Sequence, residues 1–280
     1  MFNLPNIITA GNLIAGCLSI IFALQGRLDL ASYALLFAML LDFFDGFLAR
    51  LLKLQGELGK QLDSLADMVS FGAAPGIIAF VLLILSGAVS LNGSLSAVLV
   101  GDTMGSSMKI LIDQYFEALF YGASEYHVVP FHGWYLVLPF ISLLIPFFSL
   151  FRLAKFNLDT RQSDQFIGLP TPANSLFIIS IALTLWFGYG ENNFKGLLSE
   201  IFLREGVLST FIVMFSIMLI AEFPLIALKF KNYSLKDNLD KYILIGFALI
   251  LFLTLQVFAL SFIVILYLTI SLIRFFVNKK

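Results

Sequence analysis

The chain has 280 residues, 60% of them hydrophobic and only 12% charged, whereas a soluble domain carries about 25% charged residues. That balance makes a bilayer the expected solvent, and a formal net charge of −1 excludes a strongly basic nucleic-acid binder. The single cysteine, Cys17, excludes an internal disulfide and any cysteine-based metal site.

A membrane-crossing helix needs about 20 mostly apolar residues. The opening MFNLPN lacks the Lys or Arg of a secretion leader, so the first apolar run, Ile7–Leu24, is expected to be a retained span. Further spans are expected at Ala31–Leu52 and Gln61–Leu85, joined by the short polar turn KLQGELGK. Residues 87–133 are expected to form a long loop, Gly/Ser-rich at first, with an interfacial helix over MKILIDQYFEALFYG. Spans at Trp134–Phe151, Pro170–Phe187 and Val207–Leu228 follow.

The last apolar block, Tyr242–Val277, would be roughly 54 Å long as one helix, against a hydrocarbon core of about 30 Å. Two short helices folded back near Gln256–Leu260 fit better. Eight spans with the N-terminus inside leave only Arg27, Lys109, Lys195 and Arg204 of the 17 basic residues on the outer side. The expected fold class is therefore an all-α integral membrane protein, a polytopic helical bundle of about eight spans. It forms one domain over residues 1–280, with the 87–133 loop extracytoplasmic and no internal repeat.

Four carboxylates interrupt the apolar text. Asp42 and Asp45 fall on the second span with Gly46, Ala49 and Arg50, at steps of three and four that return to one helix face. Gly59, Asp63 and Asp67 form a second stripe on the third span. The short turn makes these helices antiparallel neighbours, with Asp45 about 12 Å before Lys53 and Asp63 to Asp67 about 5–10 Å beyond Lys60. All four carboxylates are expected to converge near one membrane face.

Like charges in apolar surroundings repel each other and lose hydration unless cations neutralise them. Ionisable groups inside a membrane default to function. Hard divalent ions such as Mg²⁺ or Mn²⁺ take oxygen ligands and bridge carboxylates to substrate phosphates. Two of them can clamp the attacking and leaving oxygens of a phosphoryl displacement. Gly46, Gly56 and Gly59 leave room for a ligand to press against backbone, and Arg50 can fork onto a phosphate.

The spacing Asp42-x2-Asp45-Gly46-x2-Ala49-Arg50-x8-Gly59-x3-Asp63-x3-Asp67 resembles, position for position, the signature of the CDP-alcohol phosphatidyltransferase family. The resemblance implies an enzyme that moves the phosphatidyl group of a CDP-activated lipid onto an alcohol and releases CMP. It implies that Asp42, Asp45 and Asp63 hold two metal ions. Asp67 would help bind metal and act as the base on the incoming hydroxyl. Gly46 and Arg50 would meet the nucleotide diphosphate, with Asp42, Gly56 and Gly59 beside it. The segment PNIIT is similar to the family's first-helix segment facing the CDP moiety, which points to Asn6 and Thr9. A homodimer is implied by the resemblance alone.

Four segments, DFFDGFLAR, GKQLDSLADMVSFGAAP, FRLAKFN and FIGLPTPA, together resemble the bacterial and archaeal phosphatidylserine synthases within that family. The likeness covers residues 5–76 and 148–174, with Lys155 standing where Arg is usual. It implies CDP-diacylglycerol and L-serine as substrates, in an inner cell membrane with the site facing the cytoplasm. Arg152, Lys155 and Asn157, at the end of the fourth span, are the candidates for the serine carboxylate. Other acceptors remain open: glycerol 3-phosphate, inositol phosphate or choline. A divalent-cation transporter is the alternative from another class, although no repeat or pair of broken helices marks one. Pro170 and Pro172 are expected to shape the start of the fifth span, and Lys229–Lys241 a solvated loop facing anionic lipid. His127 and His132 fall in the outer loop, away from the carboxylates.

Overall fold

The computed structural model describes residues 3–99, 103–122, 128–158, 166–188, 194–222, 224–225 and 239–278. Four helices among them are long and apolar enough to cross a membrane: Leu4–Leu24, the continuous run Glu57–Asn92, Trp134–Leu158 and Thr171–Gly188. Gly196–Leu203 and Gly206–Ile220, bent by 72°, make a fifth if they count as one span. The chain is a multi-pass membrane protein that is helical among the described residues apart from one short antiparallel pair, β1 (Phe166–Ile167) with β2 (Pro224–Leu225).

Helix α1 (Leu4–Leu24) starts where the Asn3 side chain accepts the Asn6 amide at 3.0 Å, with Pro5 in the first turn, where its missing N–H costs nothing. It ends at Gly26, whose φ of +74° lets the chain reverse into α2 (Leu28–Leu51). Arg27 and Asp29 pair at 2.8 Å across that turn, and the guanidinium lies 5.7 Å from the Trp186 ring centroid. Helix α2 ends at Lys53, another positive-φ residue, and Gly56 opens α3 (Glu57–Asp67).

Directly after Asp67 the helix widens into a π turn, Met68–Ala73, before continuing as α4 (Ala74–Asn92). Pro75 supplies no N–H, so the Phe71 carbonyl four residues earlier loses its α-helical donor. The Ser175 hydroxyl donates to that carbonyl at 3.1 Å instead. Gly16 on α1 lies so close to the turn that a Cβ there would sit 2.8 Å from the Ser70 Cα.

Short α5 (Leu95–Val98) leads to α6 (Met104–Tyr121), which docks beside α4 through its buried face and whose Tyr115 hydroxyl donates to Leu136 O at 2.8 Å. Helix α7 (Trp134–Val137) and a 3-10 turn run into α8 (Leu144–Leu158), which ends beside α3. Helix α9 (Thr171–Gly188) is buried along most of its length. Helices α10 (Phe194–Leu203) and α11 (Glu205–Ile220) follow, and Leu169 N donates to Met218 O at 2.9 Å, tying the start of α9 to the end of α11. Helices α12 (Leu239–Leu255) and α13 (Ala259–Asn278) complete the described chain.

Several expectations change. The third span does not stop at Leu85: Gly87–Asn92 are helical, so the connection begins at Gly93 rather than residue 87. Ser90 donates to its own helix at Ser86 O (2.9 Å), and Gly87 lies against the Tyr135 ring, so these small residues pack a helix instead of loosening a loop. The sixth span ends at Ile220 instead of Leu228, because Ala221 turns extended.

The last block does break at Gln256, which has φ +53°. However, Ser261 in the first turn of α13 meets Ser180, halfway along α9, at 2.6 Å. The α12–α13 hairpin therefore turns at the level of the middle of α9. The count of eight spans is not reached by length and apolarity. Asp29, Asp42 and Asp45 break the apolar run of α2, and the described apolar stretches of the hairpin, Tyr242–Leu255 and Ala259–Ile273, are short. His127 and residues 229–238 of the expected basic loop Lys229–Lys241 lie outside the described residues, whereas Lys241 falls in α12, which starts at Leu239.

The Gly16 contact gives a direct stability test. Gly16→Val should cost about 1–3 kcal/mol by overpacking α1 against the π turn. Gly46→Ala, where an added Cβ meets no atom within 4 Å, should leave the thermal midpoint in detergent unchanged or slightly raised. Equal midpoints for wild type and Gly16→Val would contradict the close packing.

Candidate active site

At the end of the bundle where α2 turns into α3, three helices enclose an open cavity of about 710 Å³, within the range of about 300–1,000 Å³ usual for small-molecule sites. Helix α1 contributes Pro5, Asn6 and Thr9 to its wall; α2 contributes Asp42, Asp45, Gly46, Ala49 and Arg50. The turn and α3 add Gly56, Gly59, Lys60 and Asp63, and Phe156 of α8 closes one side. Both acidic stripes therefore face one space, because residues three and four apart share a helix face. The opposite face of α2 carries Phe43 and Phe47, stacked at 6.3 Å between centroids and exposed.

Asp42, Asp63 and Asp67 each present a carboxylate oxygen within 4.8 Å of the others. An all-oxygen donor set this compact fits a hard divalent ion, which would offset the repulsion of the like charges. Asp45 stands slightly apart. Thr9 Oγ1 donates to its Oδ2 at 2.6 Å, so α1 holds this carboxylate at the cavity wall. Asp67 is set deeper, 9% exposed, at the start of the π turn. Asn12 Nδ2 donates to Asp67 Oδ1 at 3.3 Å, and the buried Arg152 guanidinium offers this carboxylate compensating charge.

The glycines differ in what they do. A Cβ at Gly46 or Gly56 would meet nothing within 4 Å, so both face open space in the cavity. Gly59 instead allows α1 and α3 to approach, since its Cβ would lie 3.4 Å from Asn6 Oδ1. Arg50 is exposed at the rim, its Nε donating to Gly46 O at 3.0 Å.

The three acceptor candidates separate. Arg152 is buried: its Nη1 donates to Thr171 Oγ1 at 3.2 Å and its guanidinium lies 5.2 Å from the Phe156 ring centroid. Lys155 points outward and pairs with Glu222. Asn157 donates to Ser64 Oγ at 2.7 Å, and its carbonyl accepts Lys60 Nζ at 2.9 Å, so it ties α8 to α3. His132 lies at the opposite end, with Nδ1 at 2.7 Å from Pro130 O.

Sequence reasoning missed Asn12, Thr171 and Phe156. Asn12 had a readable signal, because it follows Thr9 by three residues on an otherwise apolar helix and so shares its face. Thr171 and Phe156 fall within the segments FIGLPTPA and FRLAKFN, but their roles depend on how α8 and α9 pack.

Comparison with known proteins agrees with this geometry. The CDP-alcohol phosphatidyltransferase family model matches residues 2–222. A Helicobacter pylori protein named CDP-diacylglycerol–serine O-phosphatidyltransferase is 26% identical over 278 residues, covering 98% of this chain and 91% of its own. A Bacillus subtilis protein of the same name is 28% identical over 181 residues, 65% of this chain and 76% of its own. An archaetidylserine synthase of Methanothermobacter thermautotrophicus is 30% identical over 184 residues, 65% of this chain and 58% of its own. With the family model spanning most of its length and the two acidic stripes meeting in one cavity, the chain belongs to the CDP-alcohol phosphatidyltransferase family.

Proposed function

We propose that this protein transfers the phosphatidyl group of CDP-diacylglycerol to the hydroxyl of L-serine, giving phosphatidylserine and CMP. The observation that carries the reading is the cluster of the Asp42, Asp63 and Asp67 carboxylates, two of which, Asp42 and Asp63, line an open cavity beside Gly46 and Gly56. The names of the similar proteins support serine as the acceptor.

Asp42, Asp63 and Asp67, with Asp45 beside them, would hold the divalent ions, Mg²⁺ or Mn²⁺. Bound there, such ions supply positive charge against the pyrophosphate and the charge that develops on it. Gly46 and Gly56 give the CDP group access to backbone, Asn6 and Thr9 bound it from α1, and Arg50 at the rim forks onto phosphate. Phe43 and Phe47 offer the acyl chains an apolar wall on the outer face of α2. The excess of Lys and Arg predicted on the aspartate side supports a cytoplasmic site that takes the lipid from the inner leaflet.

The serine oxygen then forms its bond to the phosphorus bearing the diacylglycerol. The bond from that phosphorus to the pyrophosphate bridging oxygen breaks, and its electron pair leaves with CMP. Asp67 takes the hydroxyl proton. Asn12 fixes the rotamer of Asp67, and burial keeps water from competing for the phosphorus.

In detergent, CMP release from CDP-diacylglycerol should require both L-serine and Mn²⁺ or Mg²⁺. It should stop with a chelator and return when metal is restored. Release without any alcohol would indicate hydrolysis, and release with none of the candidate alcohols would favour transport. Asp67→Asn should lower kcat by roughly 10²–10⁴-fold, the usual contribution of a positioned base, while keeping the thermal midpoint. Near-normal turnover in that variant would remove Asp67 from the base role. Gly46→Leu, which fills the cavity floor, should raise the KM for CDP-diacylglycerol by about tenfold or more with the fold intact; an unchanged KM would place the nucleotide elsewhere.

A further inference from the structure

The polar groups behind the carboxylates are incompletely satisfied, and the unmet groups are of complementary kinds. Asn174, in the first turn of α9, is 0% exposed, and neither its Nδ2 nor its Oδ1 has a hydrogen-bond partner. Its surroundings follow from its neighbours in the first turns of α9. Thr171, one turn earlier, accepts from Arg152, and Ser175, the next residue, donates to Phe71 O in the π turn that follows Asp67. Asn174 thus lies one turn on from the Arg152 partner Thr171, in the part of α9 that packs against both α8 and the π turn following Asp67.

The same environment leaves two further groups unmet. Asn12 is also 0% exposed; its Nδ2 serves Asp67 while its Oδ1 has no partner. Arg152 is 9% exposed and forms no ion pair among the described residues, and of its five N–H donors only one is taken, by Thr171. Buried polar groups in folded proteins are normally paired, so this concentration of spare donors and acceptors around one carboxylate calls for a ligand.

We propose that Asn174, Arg152 and Asn12 form the acceptor subsite and select an α-amino acid headgroup: Arg152 and Asn174 Nδ2 donate to its carboxylate, and Asn12 Oδ1 accepts from its ammonium. A short hydroxylated side chain on the same α-carbon then reaches Asp67. This rests on the serine-transfer reading and names the residues that make the choice. A guanidinium beside an amide donor matches the two oxygens of a carboxylate. Choline carries no anion for Arg152, and a sugar or glycerol phosphate carries no cation for Asn12 Oδ1. Either would leave buried groups unpaired, which is how polar sites reject near-miss substrates.

Asn174 touches neither Asp67 nor the CDP cavity, so its replacement separates acceptor binding from the rest. In CMP-release assays with saturating CDP-diacylglycerol and Mn²⁺, Asn174→Leu should raise the KM for L-serine about tenfold or more, the loss expected for a hydrogen bond to a charged group. The KM for CDP-diacylglycerol and the kcat should stay within about twofold. The thermal midpoint without ligand should be equal or higher, since an unpaired amide has been replaced by an apolar group of similar size, while stabilisation by added L-serine should be lost. A serine KM within about twofold of wild type would overturn the subsite.

If Asn174→Leu fails to fold, wild-type protein with ethanolamine and with L-serine methyl ester decides. Both keep the hydroxyl and the amine but lack the free carboxylate, and both should react at least about 100-fold more slowly than L-serine at equal concentration. Comparable rates would overturn the proposal. Wild type that ignores serine but uses an alcohol phosphate would sink the serine-transfer reading together with the subsite. Wild type that uses serine beside an unaffected Asn174→Leu would sink the subsite alone.

Discussion

Three carboxylates that approach within 4.8 Å inside an apolar bundle set the terms for the rest of this structure. Their mutual repulsion and lost hydration work against folding, and the Arg152 guanidinium is the one buried cation set against them among the described residues. The packing around them reads as a clamp. Helix α2 brings Asp42 and α3 brings Asp63 and Asp67, and the tight turn through Lys53 and Gly56 forces the two stripes to face each other. Helix α1 then fastens the arrangement from the side, with Thr9 on Asp45 and Asn12 on Asp67. Gly16, one turn beyond Asn12, lets that helix come close enough to do so.

The π turn extends the same logic to the acceptor side. By widening the helix directly after Asp67 and freeing the Phe71 carbonyl, it gives Ser175 a place to dock and draws the start of α9 toward the carboxylates. Thr171 in turn holds Arg152, and Phe156 covers it. One irregularity in a backbone thus links a metal-type carboxylate cluster, a buried cation and two asparagines with unmet hydrogen-bonding atoms. The outer surface obeys a different solvent. Phe43 and Phe47 face outward from the helix whose inner face is acidic, so α2 stands between an apolar outer surface and the acidic cavity.

Much of this was legible before any coordinates, because helical periodicity alone puts Asp42, Asp45, Gly46, Ala49 and Arg50 on one stripe and Gly59, Asp63 and Asp67 on another. What periodicity does not carry is which side chain finds another partner. Asp45 is held by Thr9 a little outside the tight triad, Lys155 pairs with Glu222, and Asn157 braces Ser64. These are contacts between elements distant in the chain. Gly87 and Ser90 resemble loop text in the sequence and so hide the end of the third span, whereas a helix in an apolar bundle uses small residues for close packing and lets serines bond to carbonyls of their own helix. The stop of α11 at Ile220 and the mid-depth turn of the α12–α13 hairpin likewise involve contacts distant in the chain, here with Gly168, which lies against the Leu219 and Ala221 carbonyls, and with Ser180.

The claim on which the account stands is that the cluster exists to hold divalent cations against a nucleotide pyrophosphate. Anomalous diffraction from crystals of the protein grown with Mn²⁺ and a CDP-lipid tests this most directly. The account predicts anomalous peaks enclosed by the carboxylates of Asp42, Asp63 and Asp67, with phosphate density on their cavity side. Well-ordered nucleotide with no anomalous signal at these three side chains, or with the signal elsewhere, would contradict it.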